Sequence, residues 1–127
     1  MMLILLEAAG IYCSPILPIY TASKHGVLGL GRSMAGMLAK ENIRVNVTLP
    51  GTVKTNFVDK DTWKFFPEGH FTTLDNIAEG VYGIIEDESM VGQAIEISKD
   101  KTYRRKQLEY CDDSQKATME AAQSTPW

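Results

Sequence analysis

Tyr20 and Lys24 are the two residues of this chain whose types and spacing could do chemistry together. In a helix beginning near Tyr20 they stand one turn apart on the same face. A free phenol has a pKa near 10 and stays protonated at neutral pH, and an ammonium beside it favours the phenolate. A tyrosine tuned in this way can exchange a proton with a carbonyl or a hydroxyl group. By itself the pairing is common on solvated helices, so its meaning depends on the surrounding chain. The other reactive side chains form no such arrangement. His25 points away from Lys24 around the helix, and His70 falls in a loop without a second ligand. Cys13 and Cys111 match no metal-ligand spacing, so no metal site is expected. Asn46-Val47-Thr48 fits a glycosylation sequon inside an expected strand, and Asp112-Asp113 belongs to a charged tail.

The elements that would hold Tyr20 and Lys24 can be read from hydrophobic period. Met1 to Leu6 is a short apolar run ended by Glu7 and small residues, the pattern of a strand buried on both faces. Such a strand at Met1 suits either a missing upstream part or an ordinary N-terminal strand. Residues 11–19 carry Pro15 and Pro18 and read as a loop. From about Tyr20, Val27, Leu28, Leu30, Met34, Ala35 and Leu38 recur at helical spacing, and Glu41-Asn42 closes the helix. Gly26, Gly29 and Gly31 interrupt it, which predicts close packing against another backbone. Ile43 to Leu49 alternates as a strand and ends at Pro50-Gly51. Residues 52–72 are aromatic-rich and aperiodic, either a substrate-binding segment or a satellite hydrophobic cluster. Leu74, Ile77, Ala78, Val81, Ile84 and Ile85 trace a second helix with Thr72 or Thr73 as N-cap, and Gln93 to Ile97 reads as a third strand.

Strands alternating with helices indicate an α/β fold with a parallel sheet of three strands joined by crossover helices. Two right-handed crossovers would lay both helices on one face and leave the other bare, which looks like half of a doubly wound fold. The expected division is residues 1–98 as the folded unit and residues 99–127 as a charged, solvated tail with a frayed helix between Lys101 and Ala122.

At 127 residues the chain fits one domain. Apolar residues make up 44% and charged residues 23%, which excludes disorder, collagen and coiled coil. Thirteen Lys and Arg against sixteen Asp and Glu give a net charge of −3, so neither a nucleic acid nor an anionic membrane is an expected partner. The two cysteines read as reduced thiols of a cytoplasmic protein.

The stretch YTASKHGVLGLGRSMAGMLAKENIRVNVTLPGTVKTNF resembles the classical short-chain dehydrogenase/reductase family: its Tyr-x-x-x-Lys helix, the next strand and the Pro-Gly-x-Val-x-Thr turn follow in order. The resemblance covers residues 1 to about 98. It implies the C-terminal half of a Rossmann-type doubly wound sheet and an oxidoreductase that moves hydride between NADP or NAD and a hydroxyl or carbonyl of a small organic molecule. Tyr20 would be the proton donor or acceptor, and Lys24 would lower its pKa and bind the nicotinamide ribose. Pro50, Gly51, Val53 and Thr55 would cradle the nicotinamide, where a turn at the carboxyl end of a parallel strand presents free backbone groups.

Two departures stand out. No Gly-rich turn suited to a pyrophosphate is present, so the N-terminal nucleotide-binding half is expected to be missing. The family's catalytic serine position, thirteen residues before the tyrosine, holds Glu7. An ionised Glu only accepts hydrogen bonds, and its charge would raise the Tyr20 pKa against Lys24. The alternative is a catalytically inactive, truncated paralogue acting as a binding or oligomerisation module. Its expected partners are a second copy of the chain or a full-length relative.

Overall fold

The computed structural model describes residues 7–124 and the backbone of residues 2–5. Met1 and Leu6, at the ends of the expected first strand, and residues 125–127 of the expected tail lie outside the described residues. The chain runs β1 (Met2–Leu5), α1 (Pro18–Leu38), β2 (Val45–Pro50), α2 (Leu74–Glu86), β3 (Ala94–Ser98), β4 (Lys101–Arg104) and α3 (Asp113–Ser124). The sheet order is β1-β2-β3-β4. β1, β2 and β3 are parallel, with Leu5 opposite Thr48 and Pro50 opposite Ile97.

α1 begins two residues earlier than its periodicity predicts. Pro18 occupies the first turn, where a missing N–H costs nothing and a fixed φ suits the helix. The helix closes through a short 3-10 turn, Ala39–Glu41, into Asn42 at φ 59, a left-handed cap that asparagine tolerates. Thr73 is the N-cap of α2, its hydroxyl accepting the Asn76 N–H at 3.2 Å.

The two helices do not share a face of the sheet. Leu28 of α1 packs on Val47, Leu49 and Ala94, whereas Ile84 of α2 packs on Ile95 and Ile97. Neighbouring residues on a strand point to opposite faces, so Ala94 and Ile95 assign α1 and α2 to opposite sides. The expectation of two right-handed crossovers on one face is therefore corrected: the two connections are of opposite hand. The loop 51–73 is long enough to carry the chain around the carboxyl edge of the sheet, and both faces are covered.

The sheet also has a fourth strand beyond residue 98. β4 pairs antiparallel with β3, Ser98 opposite Lys101 and Ile95 opposite Arg104, through a turn in which Lys99 adopts φ 55. All four β4 residues are exposed, and their charges hid the strand from the hydrophobic pattern. The single helix expected between Lys101 and Ala122 is this strand followed by α3. Close packing is seen at only one of the three glycines singled out in α1: Gly31 is buried, while Gly26 and Gly29 face open space.

Candidate active site

β1 and β2 run parallel, and α1 leads back from the end of the first to the start of the second. The segment after β1, the start of α1 and the turn after β2 therefore meet at the carboxyl edge of the sheet. This edge is where open α/β folds gather ligand-binding groups. Glu7, Tyr20, Lys24 and the Pro50–Thr55 turn all leave from it.

Tyr20 and Lys24 meet as their spacing predicts. The Lys24 Nζ lies 5.3 Å from the centroid of the Tyr20 ring, over its face. The Tyr20 hydroxyl donates a hydrogen bond to Glu7 Oε2. The direction of the pKa shift is opposite to that expected of a lysine-tuned phenol. Burial, then the hydrogen bond to Glu7, then the Glu7 charge push Tyr20 up to about 12. The ammonium sits over the ring rather than at the oxygen, which leaves the carboxylate in control of the proton. Thr21, buried behind Tyr20, steadies this corner: its hydroxyl accepts the Ser14 N–H at 3.3 Å. Ser14 is thus tied to the helix start through its backbone.

The turn after β2 is built around Gly51. Its N–H donates to Ile97 O at 2.8 Å, and a Cβ there would stand 2.9 Å from Thr72 Oγ1 and 3.3 Å from Ile97 O. Only glycine lets the backbone pass so close to β3. Thr72, itself buried, accepts the Lys99 N–H at 3.0 Å and so links this turn to the β3–β4 hairpin. Val53 is half-buried, and among the described residues neither its N–H nor its carbonyl has a hydrogen-bond partner. Thr55 is engaged by the fold, its carbonyl accepting from Trp63 Nε1 at 3.2 Å and its hydroxyl from the Phe57 N–H at 3.3 Å. Trp63, Phe66 and Phe71 form an aromatic cluster, a satellite core within this loop. Phe57 and Phe65 remain 86% and 88% exposed.

His25 and His70 are exposed, and the His25 ring Nδ1 lies 3.0 Å from the Thr21 carbonyl of its own helix. Cys13 and Cys111 are free and exposed. Among the described residues no group of His, Cys, Asp or Glu could hold a metal ion, and no helix is long and apolar enough to cross a membrane. One cluster has only a faint sequence signal, a Glu inside the apolar run QAIEI. Glu96 is buried on the α1 face of β3, where it accepts from the Tyr12 hydroxyl at 3.3 Å and pairs with Arg105 at 3.4 Å.

Residues 7–64 match the family described as short chain dehydrogenase. A short-chain dehydrogenase/reductase, prx7, from Penicillium rubens is 33% identical over 133 residues, covering 91% of this chain and 47% of the relative. The 3-oxoacyl-[acyl-carrier-protein] reductase FabG of Thermotoga maritima is 36% identical over 100 residues, covering 72% of this chain and 41% of the relative. The solved structure of 4-hydroxyisoleucine dehydrogenase with NADH and succinate superposes with a TM-score of 0.63 at 26% identity, over 75% of this chain and 42% of that one. The chain spans less than half the length of these curated relatives. A Tyr–Lys helix start and a Pro-Gly turn on one edge of a parallel sheet, with these relatives beside them, place the chain in the short-chain dehydrogenase/reductase family.

Proposed function

We propose that this chain carries the proton-transfer and nicotinamide-cradling part of an NAD(P)-dependent oxidoreductase, which reduces a carbonyl of a small organic molecule with Tyr20 as proton donor. The observation that carries this reading is the Tyr20 hydroxyl at the carboxyl edge with Lys24 over its ring, on the same edge of the sheet as the Gly51 turn.

The residues present fit the nicotinamide end of the cofactor. A carboxamide offers one donor group and one acceptor, and Val53 has a free N–H and a free carbonyl to meet them. Pro50 and Gly51 shape the turn, Thr55 fixes its far end, and Lys24 would reach the ribose. No described helix start offers a Gly-rich turn for the pyrophosphate, since α1 opens at Leu17 and Pro18. When bound, the nicotinamide supplies or accepts hydride, and the choice between NADP and NAD lies outside these residues.

With its pKa pushed up to about 12, the Tyr20 phenol is held protonated at neutral pH, ready to donate. As an acid, the same phenol still gives its proton readily to a developing alkoxide, a far stronger base. The test is nicotinamide oxidation by the purified protein with a panel of small aldehydes and ketones, together with cofactor binding by calorimetry. Reduction that disappears in Tyr20→Phe supports the reading. Undiminished reduction in that variant, or no cofactor binding at millimolar concentration, overturns it.

A second reading, a catalytically inactive paralogue serving as a binding or oligomerisation module, is favoured by the outward face of α1. There Ile19 and Met37 are 85% and 70% exposed beside the open positions at Gly26 and Gly29. Its partner would be a second copy or a full-length relative. Sedimentation velocity decides it: a monodisperse monomer rejects self-association.

A further inference from the structure

We infer that Glu7 makes this site selective for carbonyl substrates that carry their own hydrogen-bond donor, a hydroxyl or an ammonium, on the carbon next to the carbonyl. The inference rests on Tyr20 being the proton donor and adds the class of substrate it serves.

The Tyr20 hydroxyl has one hydrogen, and Glu7 Oε2 accepts it. Glu7 Oε1 has no hydrogen-bond or ion-pair partner among the described residues, and Lys24 makes no salt bridge to either oxygen. A half-buried carboxylate therefore stands beside Tyr20 with one oxygen satisfied by the Tyr20 hydrogen and the other without a partner among the described residues. An ionised carboxylate can only accept. A simple ketone also only accepts, so on entry it adds a second claimant to the single Tyr20 hydrogen. Turning that hydrogen to the ketone would strip Glu7 of its partner, and a carboxylate out of bulk water loses much by that.

A substrate with a neighbouring hydroxyl or ammonium removes the conflict. Its donor fills Glu7, and the Tyr20 hydrogen is free to turn to the carbonyl oxygen. In the chemical step the Tyr20 O–H bond breaks and the new alcohol O–H bond forms. The electron pair of that bond comes from the carbonyl oxygen, whose carbon would take the hydride that the reduced nicotinamide of the proposed function would give up from its own C–H bond, leaving it oxidised, and the phenolate is reprotonated from water.

The test compares hydroxyacetone with acetone, a pair differing by one hydroxyl, by ligand-observed NMR titration of the full chain. No turnover is needed, so a failure of the oxidoreductase reading and a failure of this one are separable. Hydroxyacetone is expected to bind about tenfold more tightly to the unmodified protein, the scale of one hydrogen bond to a charged group. In Glu7→Gln, which keeps the shape and removes the charge, the ratio should fall to about twofold or less. In Tyr20→Phe, where Glu7 loses its partner, the preference should persist or grow. Equal binding of the two ketones, no binding of either, or a preference that survives in Glu7→Gln overturns the inference.

Discussion

Arg44 fastens α2 to the sheet, and its removal gives a prediction whose size follows from the structure. The residue stands just before β2 and reaches the carboxyl end of α2, where backbone carbonyls lack helical partners. Its guanidinium donates to Asp87 O at 2.9 Å and Ile85 O at 3.1 Å, and more weakly to Ile84 O and Met90 O at 3.3 Å. A positive charge at this end also meets the favourable pole of the helix dipole. One hydrogen bond to a charged group contributes roughly 1.5–3 kcal/mol. The four carbonyls share one half-exposed guanidinium and water can replace part of it, so Arg44→Ala should cost about 2 kcal/mol in all. For a chain of this size that is a fall in Tm of roughly 6–10 °C. Arg44→Lys keeps the charge and loses the fork, and should recover less than half of the loss. Thermal unfolding followed by circular dichroism reads all three proteins. A fall below about 2 °C for Arg44→Ala, or full recovery in Arg44→Lys, would refute the capping argument.

Gly51→Ala places a methyl 2.9 Å from Thr72 Oγ1, an atom already bonded to the Lys99 N–H, so the turn must shift. The expected cost is about 1–3 kcal/mol by denaturant unfolding, with weakened cofactor binding by calorimetry. Glu96→Ala removes the partner of Tyr12 and Arg105, both of which can turn to water; a loss of about 1 kcal/mol is expected in the same assay. Tyr20 titrates near 10 when unfolded and at about 12 when folded, so the folded state holds the proton more tightly. Its contribution to stability is complete below pH 10 and is lost as pH rises through about 12. The denaturant midpoint should fall more steeply over that range in the unmodified protein than in Tyr20→Phe.

The sequence carries the elements with strong period and clear stops. The strand expected from Ile43 to Leu49 lies at Val45–Pro50, and the one from Gln93 to Ile97 lies at Ala94–Ser98. α2 falls on its expected residues because Thr73 caps it, yet of its six expected core positions Leu74, Ala78 and Ile85 are exposed. Assigning α1 and α2 to opposite faces was not legible. β3 is buried on both sides, and nothing in Ala94-Ile95-Glu96-Ile97 says which helix each side meets. β4 was illegible for a different reason: an exposed edge strand draws its order from backbone pairing with β3, which leaves no apolar alternation. At the site, the Tyr20–Lys24 contact follows directly from helical spacing. The opposing effect of Glu7 could be anticipated from its charge. That the carboxylate rather than the ammonium holds the phenol oxygen depends on how the segment from Glu7 to Gly10 meets the start of α1.

The ionisation of Tyr20 tests the proposed proton centre most directly. Phenolate absorbance of the folded protein, taken as the difference between the unmodified chain and Tyr20→Phe, isolates this one side chain among the five tyrosines. A midpoint at about 12, with no Tyr20 phenolate at pH 10, is the expected result. A midpoint at or below 10 would mean that Lys24 rather than Glu7 governs the proton, and would contradict it.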